Sequence, residues 1–279
     1  MSRFPRLRAT LVVAVAATLA LTACSGGSDS SSGSADGYLT EGKFTVGTSE
    51  PAYAPWVIDD APESGDGFES AVAYAVAEQL GFAKEDVVWV RTTFDEAIAP
   101  GAKNFDINIQ QYSITADREK NVDFSSPYYE TTQAVITTEA SKAASATSIA
   151  DLKDLLVGAA TGTTSFTAIE DVIAPAAGAQ AFNSNDDAKL ALQNGQIDAL
   201  VVDLPTAFYL TSAELDGGVI LGQLPADAAA GGDEFGLVLD KDSPLTEKVT
   251  AAVDALRADG TLAGLEQTWL TDAGAPILP

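Results

Sequence analysis

The 279-residue chain contains no histidine and a single cysteine, Cys24. Without histidine it lacks the commonest general base and metal ligand, so neither a Ser-His-Asp triad nor a Cys-His pair can be assembled. One cysteine leaves no partner for an intrachain disulfide. Basic residues are scarce: 15 Lys and Arg stand against 40 Asp and Glu, a formal net charge of −25. Such a chain is not built to bind nucleic acid by neutralising phosphates, and the acid excess fits solubility better than a specific role. Apolar runs long enough to span a bilayer are missing too. Leu11 to Leu21 carries no charge, but it is too short for a stable membrane helix.

What is present begins with export. Arg3, Arg6 and Arg8 precede the apolar stretch, which ends in Leu21-Thr22-Ala23-Cys24. That order is a secretory signal, and its end resembles the bacterial lipobox. The resemblance implies cleavage after residue 23 and a diacylglycerol on the Cys24 sulfur; the alternative is a plain signal with an incidental cysteine. Ser25 to Gly37 is almost all Ser, Gly, Asp and Ala, which cannot bury apolar surface, so residues 24–40 are expected to form a flexible tether. The expected product is a soluble domain anchored by lipid to the outer face of the cell membrane.

The rest of the chain is long enough for two modest lobes. Short β-rich runs alternate with helical periodicity, which predicts an α/β fold with mainly parallel sheets. Strands are expected at Lys43 to Gly47, Val87 to Val90, Phe105 to Ile109 and Ala134 to Thr138. A second series follows at Leu155 to Ala160 and Asp198 to Val202, with a late strand at Phe235 to Leu239. Phe68, Val72, Val76 and Leu80 place a helix over 68–80, stopped by Gly81. Ser148 and Ser184 head candidate helices. Ser243-Pro244 opens another, which carries Leu245, Val249, Ala252 and Leu256 and ends at Gly260. A last helix carries Leu262, Leu265 and Trp269. The Pro225 to Gly232 run of small residues is expected to be a loop.

Several motifs stand in a particular order. They are Thr45-Val46-Gly47-Thr48 with Tyr53-Ala54-Pro55-Trp56, Gly67-Phe68-Glu69, Phe94-Asp95-Glu96-Ala97-Ile98 and Ser113-Ile114-Thr115-Ala116-Asp117-Arg118. Val122 to Tyr129, Gly162-Thr163-Thr164, Asn194 to Ala199 with Asp203, and Ala258 to Leu262 complete the set. In this order and at these distances the chain resembles family 3 of the bacterial extracellular solute-binding proteins, the receptors for polar amino acids. The resemblance implies a type II periplasmic-binding-protein-like fold: two α/β lobes, a ligand cleft between them and two crossing segments, near Thr131 to Gln133 and near Asp233 to Gly236. Residues 41–131 with 235–279 would form lobe 1, and residues 132–234 lobe 2. It also implies an ABC permease in the membrane as partner.

A free amino acid places a carboxylate and an ammonium on one carbon, and its receptor must replace the water around both. Arg118, at the end of the Ser-Ile-Thr-x-x-Arg pattern, is the candidate for the carboxylate, since a guanidinium grips it bidentately and keeps its proton. Ser113 adds a hydroxyl. Thr163 and Thr164, after a strand and before a helix, offer backbone N–H groups to an anion or serve only as a cap. Asp203 is the candidate for the ammonium. It leaves the C-terminal end of an apolar strand, where ligands gather in open α/β sheets, although an N-cap before Leu204-Pro205 is the plainer alternative. Gln110 and Gln111 reach toward the ligand or narrow its pocket. Tyr53, Trp56 and Phe94 are candidate walls, with core packing the rival for Trp56; Tyr128 and Tyr129 read as packing.

The whole describes a monomeric receptor that needs no cofactor and closes on a small zwitterion. Two rivals share the fold. One is a secreted dehydratase-like enzyme using a carboxylate such as Glu50 or Glu69 as acid/base. The other is a ligand-sensing module that acts through a partner. Glu50 or Asp59 beside the cleft would favour a basic ligand side chain.

Overall fold

The computed structural model describes residues 36–225, 233–270 and 274–279. The expected export signal, Cys24, most of the expected tether and nearly all of the 225–232 run lie outside these residues.

The first sheet grows around β1 (Phe44–Thr48), whose five residues are all buried. A strand buried on both faces needs helices above and below it, and its neighbours are parallel: β2 (Val87–Arg91) on one side and β3 (Ile107–Asn108) on the other. The crossover from β1 to β2 holds α1 (Phe68–Gln79), which buries Phe68, Val72, Val76 and Ala77 against β1. Gly67 makes the entry possible. It has φ +103°, and a Cβ there would lie 2.5 Å from the Trp56 carbonyl oxygen, so only glycine fits. After β2 comes α2 (Phe94–Ile98), started by a capping box between Thr93 and Glu96. β4 (Val122–Phe124) then closes the edge.

The chain leaves this lobe through β5 (Tyr129–Thr131) and enters the second through β6 (Gln133–Thr138). Next come β7 (Val157–Ala160), α3 (Thr164–Ala168), β8 (Gln180–Phe182), α4 (Asn185–Gln193), β9 (Ala199–Asp203), α5 (Leu204–Tyr209) and β10 (Gly218–Gln223). The second sheet has the order β10-β6-β9-β7-β8, with β7 parallel to β8 and β9 and with β6 antiparallel to both its neighbours.

The return runs through β11 (Asp233–Phe235) and β12 (Val238–Asp240). β12 inserts between β3 and β4 and completes the first sheet, β2-β1-β3-β12-β4. β11 pairs antiparallel with β5, so the two crossing segments form a small ribbon of their own. α6 (Thr246–Ala258) and α7 (Thr261–Trp269) then pack in the core of the first lobe beside α1.

Four features differ from the sequence reading. The sheets are mixed and not mainly parallel: β6 and β12, by which the chain enters lobe 2 and re-enters lobe 1, run antiparallel to both their neighbours. The single late strand over 235–239 is two strands in different sheets, because Gly236 lets the backbone turn where a Cβ would lie 2.9 Å from Ile114. α6 starts at Thr246, after the Ser243-Pro244 turn rather than within it. The last residues do not stay with lobe 1. Leu278 is buried in the second lobe's core, Ile277 bridges Gln223, and the Pro279 carbonyl accepts from the Ile149 N–H at 3.0 Å. Burying Leu278 there contributes about 1.5–3 kcal/mol. No helix among the described residues is long and apolar enough to cross a membrane.

Candidate functional site

A cavity of about 400 Å³ lies between the lobes, at the C-terminal ends of β1, β2, β7 and β9. Lobe 1 supplies Tyr53, Phe94, Gln110, Gln111, Ser113 and Arg118, and lobe 2 supplies Thr163, Thr164 and Asp203. Nine of the ten predicted ligand residues therefore surround one space.

Trp56 is the exception. It is only 2% exposed and packs against Phe68, Tyr129 and Phe235 in the core of lobe 1. Its indole N–H donates to Thr206 Oγ1 of α5, 3.0 Å away in the other lobe. It is a core residue that touches lobe 2, not a wall of the cavity. Spacing alone could not separate these, because aromatic residues near a cleft and aromatic residues under it have the same composition.

Arg118 is 8% exposed, and its position is fixed from both lobes. Nη1 donates to the Ser113 carbonyl at 2.7 Å, and Nη2 to the Gly162 carbonyl at 2.9 Å. Two of its five N–H groups are thus used, and three remain. The guanidinium lies 5.2 Å from the centroid of the Phe94 ring, which packs in turn at a tilt against Tyr112. Gly162 (φ +73°) sits where a Cβ would approach Asp95 Oδ1 at 3.0 Å. Thr163 caps α3: its hydroxyl accepts from the Phe166 N–H and donates to the Ala160 carbonyl. Thr164 Oγ1 lies 3.1 Å from Ser113 Oγ, a second contact across the cleft.

Asp203 precedes α5, yet its side chain caps nothing in that helix. Oδ1 instead accepts from Gln133 Nε2 at 2.8 Å. Burial, with Asp233 nearby, pushes its carboxyl up to about 8, against the pull of Gln133 and Arg118. A cation beside it would reverse that rise. Gln110 Oε1 accepts from the Tyr112 hydroxyl at 3.1 Å. Gln111 takes an unusual φ of +50°, held by Glu69, which accepts from both its backbone N–H and its side-chain amide. Glu69 is fully buried and also accepts from the Tyr128 hydroxyl at 2.5 Å; burial raises its carboxyl to about 7.

Sequence reasoning missed much of the acidic wall. Asp95, Asp186 and Asp187 line the same cavity; of the two acids the sequence did offer, Glu50 lines it and Asp59 does not. The Tyr53 hydroxyl donates to Asp186 across the mouth, which with burial raises the phenol well above its ordinary range. Asp186 also pairs with Lys189 at 2.9 Å. The signal was available, since Asn183 to Asp187 follows β8 as Thr161 to Thr164 follows β7. Reading Ser184 as a helix start, which it is, hid the second use of that loop.

The sequence profile of the bacterial extracellular solute-binding proteins, family 3, matches residues 44–272. An L-arginine-binding protein of Pseudomonas aeruginosa is 31% identical over 218 residues, covering 76% of this chain and 82% of that protein. The glutamate-binding protein GluB of Corynebacterium glutamicum is 28% identical and covers 98% of this chain and 95% of its own. A solved ancestral arginine-binding protein bound to glutamine superposes with a TM-score of 0.69 at 31% identity, over 82% of this chain and 98% of that one.

Proposed function

We propose that this chain, which belongs to family 3 of the bacterial extracellular solute-binding proteins, captures an amino acid with a cationic side chain for an ABC importer. One observation carries the choice of side chain. Glu50, Asp95, Asp186, Asp187 and Asp203 line the cavity against one cation, Arg118. In this reading Arg118 takes the α-carboxylate and Asp203 the α-ammonium. Asp186 is already paired with Lys189, and Asp95 lies beside Gly162 and Arg118, which leaves Glu50 and Asp187 of the cavity lining for a positive group at the far end of the ligand. Tyr53 and Phe94 flank the intervening aliphatic chain. A second carboxylate in place of that cation would meet like charge, which disfavours glutamate. Each charge-assisted hydrogen bond contributes about 1.5–3 kcal/mol.

The cycle follows from a cleft whose two walls share one ligand. Ligand touching both lobes favours the closed form by its differential contacts. The loaded receptor, a monomer exported by residues 1–23 and held by a lipid on Cys24, then docks on its permease. The carboxylates serve binding and not acid–base turnover, a reading supported by relatives named as binding proteins.

A thermal-shift screen of the purified full chain against the common amino acids and ornithine tests this. A ligand at about 100 times its Kd stabilises by about 2.7 kcal/mol, a rise of about 5–10 °C for a body of this size. The rise is expected with arginine, lysine or ornithine. A rise with glutamate alone, or with none, contradicts the proposal.

A further inference from the structure

Gln133 stands where four parts of the molecule meet. It is the first residue of β6, just beyond the first crossover, and faces Asp203 in register on β9. It is 2% exposed. Its Nε2 donates to Asp203 Oδ1 at 2.8 Å and to Asp233 Oδ2. Its Oε1 accepts from Ser165 Oγ at 2.6 Å, in α3. Asp233, 8% exposed, heads β11 on the second crossover and pairs with Thr131 of β5. It also accepts from Thr164 Oγ1 at 3.1 Å.

An amide nitrogen carries two hydrogens, and here each is given to a different carboxylate. Two carboxylates this near one donor, Asp233 buried and Asp203 partly so, repel each other in a medium that screens poorly. The shared amide offsets part of that repulsion, and a cation on Asp203 would offset more. The arrangement also depends on the crossovers, because Asp233 belongs to the ribbon that joins the lobes.

We propose that Gln133 is a positioning residue that joins Asp203 to Asp233, so that capture of the ligand's ammonium and the closed arrangement of the two crossovers stabilise one another. This rests on the assignment of Asp203 to the α-ammonium. Gln133 needs no contact with the ligand. It holds the carboxylate that does, and it carries the effect to the hinge.

The test is a double-mutant cycle on the full chain, with L-arginine as probe and affinity read by calorimetry. Gln133→Leu leaves the two carboxylates facing each other without a donor, and should weaken binding about 10–100-fold. Adding Asp233→Asn should recover at least about tenfold of that loss, because it removes one charge and supplies a new amide for Asp203. A cavity or misfolding at position 133 would not be repaired this way. X-ray scattering at saturating L-arginine should show Gln133→Leu more expanded than wild type and the double variant compact again. If Gln133→Leu does not fold, Asp233→Asn alone decides. It should lower by about one unit the pH at which affinity falls, since Asp203 then faces Arg118 and Glu69 without a third carboxylate. Additive losses, or an unmoved pH profile for Asp233→Asn, overturn the coupling alone. An Asp203→Asn variant that binds L-arginine normally, or a wild type that ignores it, removes the reading beneath it.

Discussion

Arg118 Nη2 lies 2.9 Å from the Gly162 carbonyl oxygen, so a lobe 1 guanidinium is held by lobe 2 before any ligand is considered. With Ser113 holding Nη1, the guanidinium plane is fixed while three N–H groups stay free. The bond to Ser113 lies within lobe 1 and preorganises the side chain on folding, whereas the bond to Gly162 belongs to the closed arrangement.

Arg118→Lys therefore tests geometry and not charge. A lysine keeps the positive charge but cannot serve two carbonyls and a carboxylate fork together. L-arginine affinity should fall at least about 100-fold by calorimetry. The fold should survive, with a stability loss of about 1–3 kcal/mol in denaturant for the carbonyl left unpaired. A tenfold or smaller loss of affinity would show that charge alone suffices.

Tyr53 and Asp186 close the mouth of the cleft by one hydrogen bond between lobes. Tyr53→Phe keeps the ring as a wall and deletes that bond. Ligand release, followed by stopped-flow fluorescence, should quicken about 10–100-fold, as loss of one neutral-to-charged hydrogen bond requires, while association changes little. An unchanged release rate would mean that this contact does not hold the closed state.

Proton linkage follows from Asp203, whose carboxyl is pushed up to about 8 by burial and by Asp233. A bound ammonium holds Asp203 ionised, so below that value the ligand must displace a proton. Affinity should fall as pH drops from 8 to 6, by up to about tenfold per unit. Calorimetry at pH 7 in buffers of different ionisation enthalpy should detect proton release. Glu69, Asp233 and Arg118 act on the same group, the first two raising it and the third lowering it. A flat profile from 6 to 8 would rule out Asp203 as the ammonium partner.

Glu69 gives a prediction about stability. Its folded carboxyl is raised to about 7 by burial, above the unfolded value, so its contribution is fully present below the unfolded value and is lost as pH rises through the folded one. Ligand-free protein should therefore lose stability between about pH 5 and 8. Denaturant midpoints for wild type and Glu69→Gln would check this, since the slope attributable to Glu69 should vanish in the variant. An identical slope in both would contradict it.

Much of this was legible in the sequence, for identifiable reasons. Asp203 ends an apolar strand and Arg118 ends a motif that the family resemblance singles out, and both line the cavity. Ser113, Thr163 and Thr164 came with them. Trp56 misled because tertiary packing against Phe68, Tyr129 and Phe235, invisible in one dimension, decides that it faces the core and not the cleft. Gln133 and Asp233 were read only as crossover positions. Their meeting depends on the pairing of β6 with β9 and of β5 with β11, and single-sequence periodicity carries no pairing. The return of Leu278 to lobe 2 is of the same kind: a short apolar tail gives no sign of which core it fills.

The most direct measurement compares L-arginine with L-citrulline by titration calorimetry. The two have nearly the same shape and the same α-groups, and they differ in the charge at the far end of the side chain. With Glu50 and Asp187 of the cavity lining assigned to that charge, L-arginine should bind at least about 100-fold more tightly. Equal affinities, or tighter binding of L-citrulline, would contradict a cleft built for a cation.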